Sequence, residues 1–193
     1  GRSRLSAVYD AAPRKSFIIG LKDLPEIWEV SYDPAAPPIH DGYVHDYKMG
    51  EAIATPGFLN PRRTQVDGVL DDFFFTQDYA HVVGASREGR GQVVNLDVRR
   101  TIARLDLPGM PHLGSGISWL RDGQRVVAST NLKDAQVSVI DLKDWRTVAT
   151  VPTLGPGFFL RSHENSPYAW VDSMMSPTAR DTLQVIDKQS LEV

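Results

Sequence analysis

The sequence contains no cysteine. Disulfides, thiolate-bound zinc, iron–sulfur clusters and c-type haem attachment are therefore excluded within these 193 residues. No run approaches the roughly 18–20 apolar residues that a membrane span requires. Charge of one sign is lacking too: 21 Lys and Arg stand against 24 Asp and Glu, a net −3. Nothing in that balance argues for a nucleic-acid partner. The opening GRSRLSAVYD has no apolar signal-peptide core. Both ends are abrupt, the second at QSLEV, so the stretch is expected to be part of a longer chain, and the missing leader carries no information on compartment.

What is present is a globular composition, 41% apolar, arranged in repeats. DYAHVVGASREGRGQVVNLDVRRTIARLDL reads as strand, turn, strand, turn, strand. GQRVVASTNLKDAQVSVIDLKDWRTVATVP repeats the plan, and SPYAWVDSMMSPTARDTLQVIDKQSLEV repeats it again. A hydrophobic-Asp pair recurs at Leu96-Asp97, Ile140-Asp141 and Ile186-Asp187, in steps of 44 and 46 residues. SFIIGLKDLPEIWEVSYDP is a divergent copy ending near Asp33, which places an inserted loop at 34–65. Periods of about 40–45 residues with four short strands per unit are the signature of a β-propeller. The fold class expected is all-β, a β-propeller fragment of about four four-stranded blades. A β-sandwich would not keep so long and regular a period. Ile117–Leu120 and Phe158–Leu160 are expected to be inner strands.

In such a fold the loop leading into each inner strand lies at the mouth of the central channel, where ligands bind. LPGMPHLGSG is one of these loops, TLGPGFF the next and VDGVLDDFFF the one before. His112 is therefore expected to face the axis, carrying the side chain best suited to move a proton. His163 reads as a turn cap and His81 as structural. His40 and His45, with Asp41 and Asp46, lie in a proline-rich insertion that reads as a surface loop or a lid over the channel; no metal site is assigned. Of the adjacent pair Asp71 and Asp72, at most one can face the channel, because neighbouring strand residues point to opposite faces. Arg62-Arg63 reads as a solvated loop.

YDAAPRKSFIIGLKD, LDDFFFTQDYAHVVGASR, GQVVNLDVRR, GMPHLGSGISW and GFFLRSHENSPYAWVDSMMSPTARDTL together resemble the haem-d1-binding propeller of the cytochrome cd1 nitrite reductase family, over essentially the whole stretch. The resemblance implies one eight-bladed periplasmic propeller domain, of which residues 1–193 are part, preceded by a c-type cytochrome domain. It implies haem d1 or dihydro-haem d1 in the channel and a c-type haem on the segment outside this stretch. The iron-ligating histidine of the family falls in an earlier blade. His112 matches one of two distal histidines; where the other is expected, this chain has Leu70-Asp71-Asp72. Where the family enzyme has an arginine three residues after the histidine, this chain has Ser115.

These departures, with the LDDFFF phrase, look like the branch that oxidises dihydro-haem d1 to haem d1. A nitrite reductase domain reducing nitrite to nitric oxide and a non-catalytic haem d1 carrier remain the alternatives. On this reading His112 is the catalytic base. His112, Gly114, Ser115 and Gly116 form the cofactor-binding set, and Asp71 or Asp72 supports the histidine. The partners implied are the tetrapyrrole and an electron-transfer protein or nitrite reductase, with a homodimer left open.

Overall fold

The computed structural model describes residues 2–40 and 54–193. Strands β1 (Leu5–Ala11), β2 (Ser16–Leu21) and β3 (Glu26–Ser31) begin the first sheet. Beyond a small pair, β4 (Ile39–His40) with β5 (Ala54–Thr55), it is completed by β6 (Pro61–Gln65). The second holds β7 (Asp72–Phe75), β8 (His81–Ala85), β9 (Arg90–Asn95) and β10 (Arg100–Asp106). The third holds β11 (Pro111–Arg121), β12 (Gln124–Asn131), β13 (Gln136–Asp141) and β14 (Arg146–Pro152). The fourth holds β15 (Leu160–Ser162), β16 (Tyr168–Asp172) and β17 (Leu183–Asp187). All pairings in the four sheets are antiparallel.

These sheets are propeller blades. Their first strands β1, β7, β11 and β15 touch in that order, and each gap between neighbouring blades is filled by one apolar cluster. Ile18, Ile27, Phe73 and Val82 fill the first gap. Val83, Leu105, Leu113 and Ile140 fill the second, and Trp119, Val139, Leu160 and Ile186 the third. Middle strands β8, β9, β12 and β13 are buried on both faces, and their valine runs suit that position. Phe73 is fully buried, and truncating such a side chain costs about 3–5 kcal/mol.

The blades repeat through one turn. The last residue of each third strand offers a side-chain oxygen to backbone N–H groups two or three residues on. Asn95 holds Asp97 and Val98, Asp141 holds Lys143 and Asp144, Asp187 holds Gln189 and Ser190, and Ser31 holds Asp33. The repeat thus runs through Asn95 rather than Asp97.

Other expectations shift as well. The inner strand of the third blade starts at Pro111, not Ile117, and that of the fourth at Leu160, not Phe158. The fourth blade has three strands among the described residues. The 34–65 span is not loop to its end, because Pro61–Gln65 is β6 and pairs with β3. Proline at an outer strand's first residue removes no needed donor. Residues 34–40 and 54–60 leave from the end of the first sheet opposite the lead-in loops, beside Arg14 and Asp97, so they do not cover the channel mouth there. His45, Asp41 and Asp46 fall outside the described residues. Among the described residues, no helix is long and apolar enough to cross a membrane.

Candidate functional site

His112 lies on a strand rather than in a turn. Pro111 pairs with Asn131 and His112 with Thr130; the register then slips and resumes at Ile117 opposite Ala128. A bulge of this kind re-aims side chains. Leu113 anchors it in the core, fully buried. Gly116 packs tightly inside it, where a Cβ would stand 3.0 Å from the Leu113 carbonyl. A Cβ at Gly114 would collide with the Tyr9 hydroxyl and lie 2.8 Å from Asp72 Oδ1. Glycine at 114 is what lets a carboxylate from the preceding blade reach this backbone.

That carboxylate belongs to Asp72. Its Oδ2 accepts from Gly114 N at 2.6 Å, and its Oδ1 accepts from the Tyr9 hydroxyl at 2.8 Å and Phe73 N at 2.9 Å. Burial, and then the neighbouring Asp72 carboxylate, push the Tyr9 hydroxyl up to about 12, which keeps it a donor. Asp71 turns the other way, toward Arg87 at 3.0 Å and Lys22 at 3.8 Å. The alternation rule therefore selects Asp72.

The imidazole itself is held from the following blade. His112 Nδ1 lies 2.6 Å from the Phe158 carbonyl and 3.1 Å from Ser115 Oγ, and its ring packs on the Phe158 ring at 4.1 Å. A carbonyl only accepts, so Nδ1 carries the hydrogen and Nε2 of the neutral ring keeps its lone pair. Asp72 Oδ2 lies 3.9 Å from that Nε2. Ser115 is buried and its hydroxyl donates to the Phe158 carbonyl at 2.8 Å. Its side chain is thus committed to the fold beneath His112 rather than offered to a ligand.

Phe158 and Phe159 are fixed by Asp172, whose two oxygens accept from their N–H groups at 3.0 and 2.5 Å. Met174 N also donates to Asp172, and Met175 N to the Pro156 carbonyl. Phe159, Met174 and Met175 are exposed, and the Phe159 ring meets, edge-on at 4.8 Å, the Phe158 ring on which the imidazole packs. Arg161 donates to the Ser115 and Leu160 carbonyls.

The remaining histidines have other duties. His163 Nδ1 accepts from Asn165 N, capping its turn; His81 pairs with Asn95; His40 is exposed on β4. Arg62 binds Glu29 on β3 instead of being solvated. Tyr9, Asp172 and Arg161 are the members of the group that sequence reasoning missed. All three lay within phrases quoted for the resemblance, but none of them had a local signal that assigned it to the site. Two grooves, of about 660 Å³ around Lys22 and Arg87 and about 740 Å³ around Trp119 and Lys188, do not include His112. Among the described residues, no group of three His, Asp or Glu is arranged to hold a metal ion.

The family model described as the cytochrome D1 heme domain matches residues 1–193. A dihydro-heme d1 dehydrogenase of Pseudomonas aeruginosa is 44% identical over 192 residues, 99% of this chain and 34% of that protein. The solved structure of dihydro-heme d1 dehydrogenase NirN in complex with DHE superposes with a TM-score of 0.83 at 42% identity, covering 99% of this chain and 36% of that one. Kuenenia stuttgartiensis hydrazine synthase shares the fold alone, with a TM-score of 0.59 at 14% identity over 90% of this chain and 43% of that one. The chain spans about a third of the length of the curated relative it matches.

Proposed function

The chain belongs to the cytochrome D1 heme domain family, and from that premise we propose that it is part of a dihydro-haem d1 dehydrogenase in which His112 is the base. The substrate is a tetrapyrrole, broad, flat and apolar with carboxylate side chains. Phe158 and the exposed Phe159 suit such a ring, and the imidazole of His112 packs on Phe158. Oxidation to haem d1 removes two protons and two electrons from a propionate side chain, and the macrocycle supplies the redox chemistry.

The protein supplies position and a base. The observation that carries this reading is the Nδ1 contact with the Phe158 carbonyl, which fixes the tautomer and leaves Nε2 free to take a proton. Asp72 then faces the imidazolium from 3.9 Å, and Gly114 and Gly116 let the bulge that carries His112 fit. Electrons leave to an acceptor of the c-type haem class. This cysteine-free stretch has no attachment site for one, so it belongs to a segment outside residues 1–193, in one periplasmic propeller protein. The single distal histidine, with a locked aspartate where a second would stand, favours this reaction over nitrite reduction.

The test uses the full-length protein, dihydro-haem d1, a one-electron acceptor and no nitrite, followed by absorption spectra. Conversion to haem d1 is expected. His112→Ala should keep tetrapyrrole binding within about tenfold and cut turnover by roughly 10²–10⁴, the range of a lost general base. Parental turnover in that variant would remove His112 from the mechanism. Nitrite consumption without conversion would make the protein a reductase, and binding with neither reaction a carrier.

A further inference from the structure

Several arginines near the blade interfaces are matched to carboxylates. Arg14 and Arg62 pair with Glu29, Arg87 with Asp71 and Arg104 with Asp67. Arg161 is not. Its Nη1 donates to two backbone carbonyls, Ser115 at 3.2 Å and Leu160 at 2.9 Å, and its guanidinium lies over the Phe159 ring at 5.4 Å. Carbonyls hold a guanidinium in place without neutralising it. Nε and Nη2 have no hydrogen-bond partner among the described residues, and the residue is exposed. A tethered guanidinium with one free edge presents two parallel N–H donors, the geometry that grips a carboxylate.

Its place matters as much as its charge. Ser115 ties it to the base: Oγ lies 3.1 Å from His112 Nδ1, while the carbonyl of the same residue accepts from Arg161. A proton acceptor on β11 and a cation on β15 without a carboxylate partner are thereby tied to the same residue, Ser115. We propose that Arg161 binds the carboxylate of the substrate side chain from which His112 takes its proton, an inference that rests on the dehydrogenase reading above.

The chemistry calls for such a group. A C–H bond next to a carboxylate is a weak acid, because its loss adds negative charge beside one already present. A guanidinium on that carboxylate offsets the developing charge where it forms. In the balanced step, His112 Nε2 takes one proton from the carbon bearing the carboxylate. The second hydrogen leaves the adjacent carbon as a proton to solvent. The two electrons leave one at a time to two equivalents of a one-electron acceptor of the c-type haem class, and a carbon–carbon double bond remains.

The experiment compares parent, Arg161→Gln and Arg161→Lys as full-length proteins with matched melting temperatures. Spectral titration with haem d1 measures binding without turnover, and turnover of dihydro-haem d1 is read separately. A tetrapyrrole with methyl-esterified carboxylates is the control ligand. Loss of one charge-assisted pair predicts about 10–100-fold weaker binding of the free acid by Arg161→Gln. Turnover should fall further, Arg161→Lys should restore part of both, and the ester should bind parent and Arg161→Gln alike. Parental binding and turnover in Arg161→Gln would overturn the proposal, as would an ester that separates the proteins as strongly as the acid does. If the parent fails to convert dihydro-haem d1 while Arg161→Gln still loses affinity only for the acid, the carboxylate site stands and the dehydrogenase reading falls.

Discussion

Asp72 carries three donors on two oxygens, from Tyr9, Phe73 and Gly114. A carboxylate has about four acceptor positions, and the one left open belongs to Oδ2, the oxygen facing His112 Nε2. Asparagine keeps the shape but puts an NH₂ where a donor already points. Asp72→Asn should therefore destabilise the protein by about 1–3 kcal/mol, the cost of a half-buried polar group left mismatched, and slow dihydro-haem d1 turnover. Denaturant unfolding of the full-length variant reads the first effect, and a rate assay reads the second. Unchanged stability would mean that Asp72 does not hold the bulge. Sequence reasoning reached part of this site. Alternation said that at most one of Asp71 and Asp72 could face inward, and Gly114 and Gly116 were assigned to the cofactor, whereas the close approach at Gly114 is made by the Asp72 carboxylate. Which aspartate it was depended on Lys22, Arg87 and Tyr9, residues brought near by blade packing with no trace in the local pattern.

Strands were legible where apolar residues alternate or run between turn residues, which covers β8–β10, β12–β14 and the pair β16–β17. The inner strand of the third blade was placed late because the bulge at 113–116 hides the first paired residues of β11, and that of the fourth was placed two residues early, since Phe158 and Phe159 precede β15. β6 was read as loop because the proline-rich insertion runs directly into it, yet its arginine completes an ion network. Glu29 accepts from Arg14 at 2.8 Å and Arg62 at 2.6 Å, and Arg14 also reaches Asp97 in the next blade at 2.8 Å. The Glu29 side chain is 12% exposed. Burial pushes its carboxyl up, but the hydrogen bonds and charges of Arg14 and Arg62 prevail and hold it below the ordinary glutamate range. A lowered folded-state value means that the stabilisation is complete above the unfolded value, about 4.3. It is lost as pH falls through the folded one. Glu29→Gln should cost about 1–3 kcal/mol near neutral pH, less than a fully buried pair because both guanidiniums keep some solvent. The difference between variant and parent should shrink on acidification below about pH 4. Unfolding curves at neutral and acid pH check both, and a pH-independent difference would assign the loss to packing instead.

At the scale of the molecule, three apolar clusters seal the three gaps between four blades, and among the described residues no blade lies against the outermost faces. Val8 and Phe17 are 46% and 42% exposed on the first blade, and Leu183 and Val185 are 60% and 40% exposed on the fourth. Among the described residues, no fourth strand pairs with β17 as one does in the other three sheets. Open apolar faces and an unpaired edge invite association, and stacked repeats depend on their neighbours for stability. The site has the same one-sidedness. Tyr9, Asp72, His112, Phe158 and Arg161 come from successive blades along one arc, whereas ligand sites bury about 70–90% of a ligand's surface. Residues 1–193 alone should therefore bind haem d1 at least roughly a hundredfold more weakly than the full-length protein and should self-associate as concentration rises. Parallel spectral titrations, with sedimentation of the shorter protein, read both effects. Equal affinity with the same axial-ligand spectrum would mean that these four blades hold the whole site, and the arc around His112 would then be closed by residues already present.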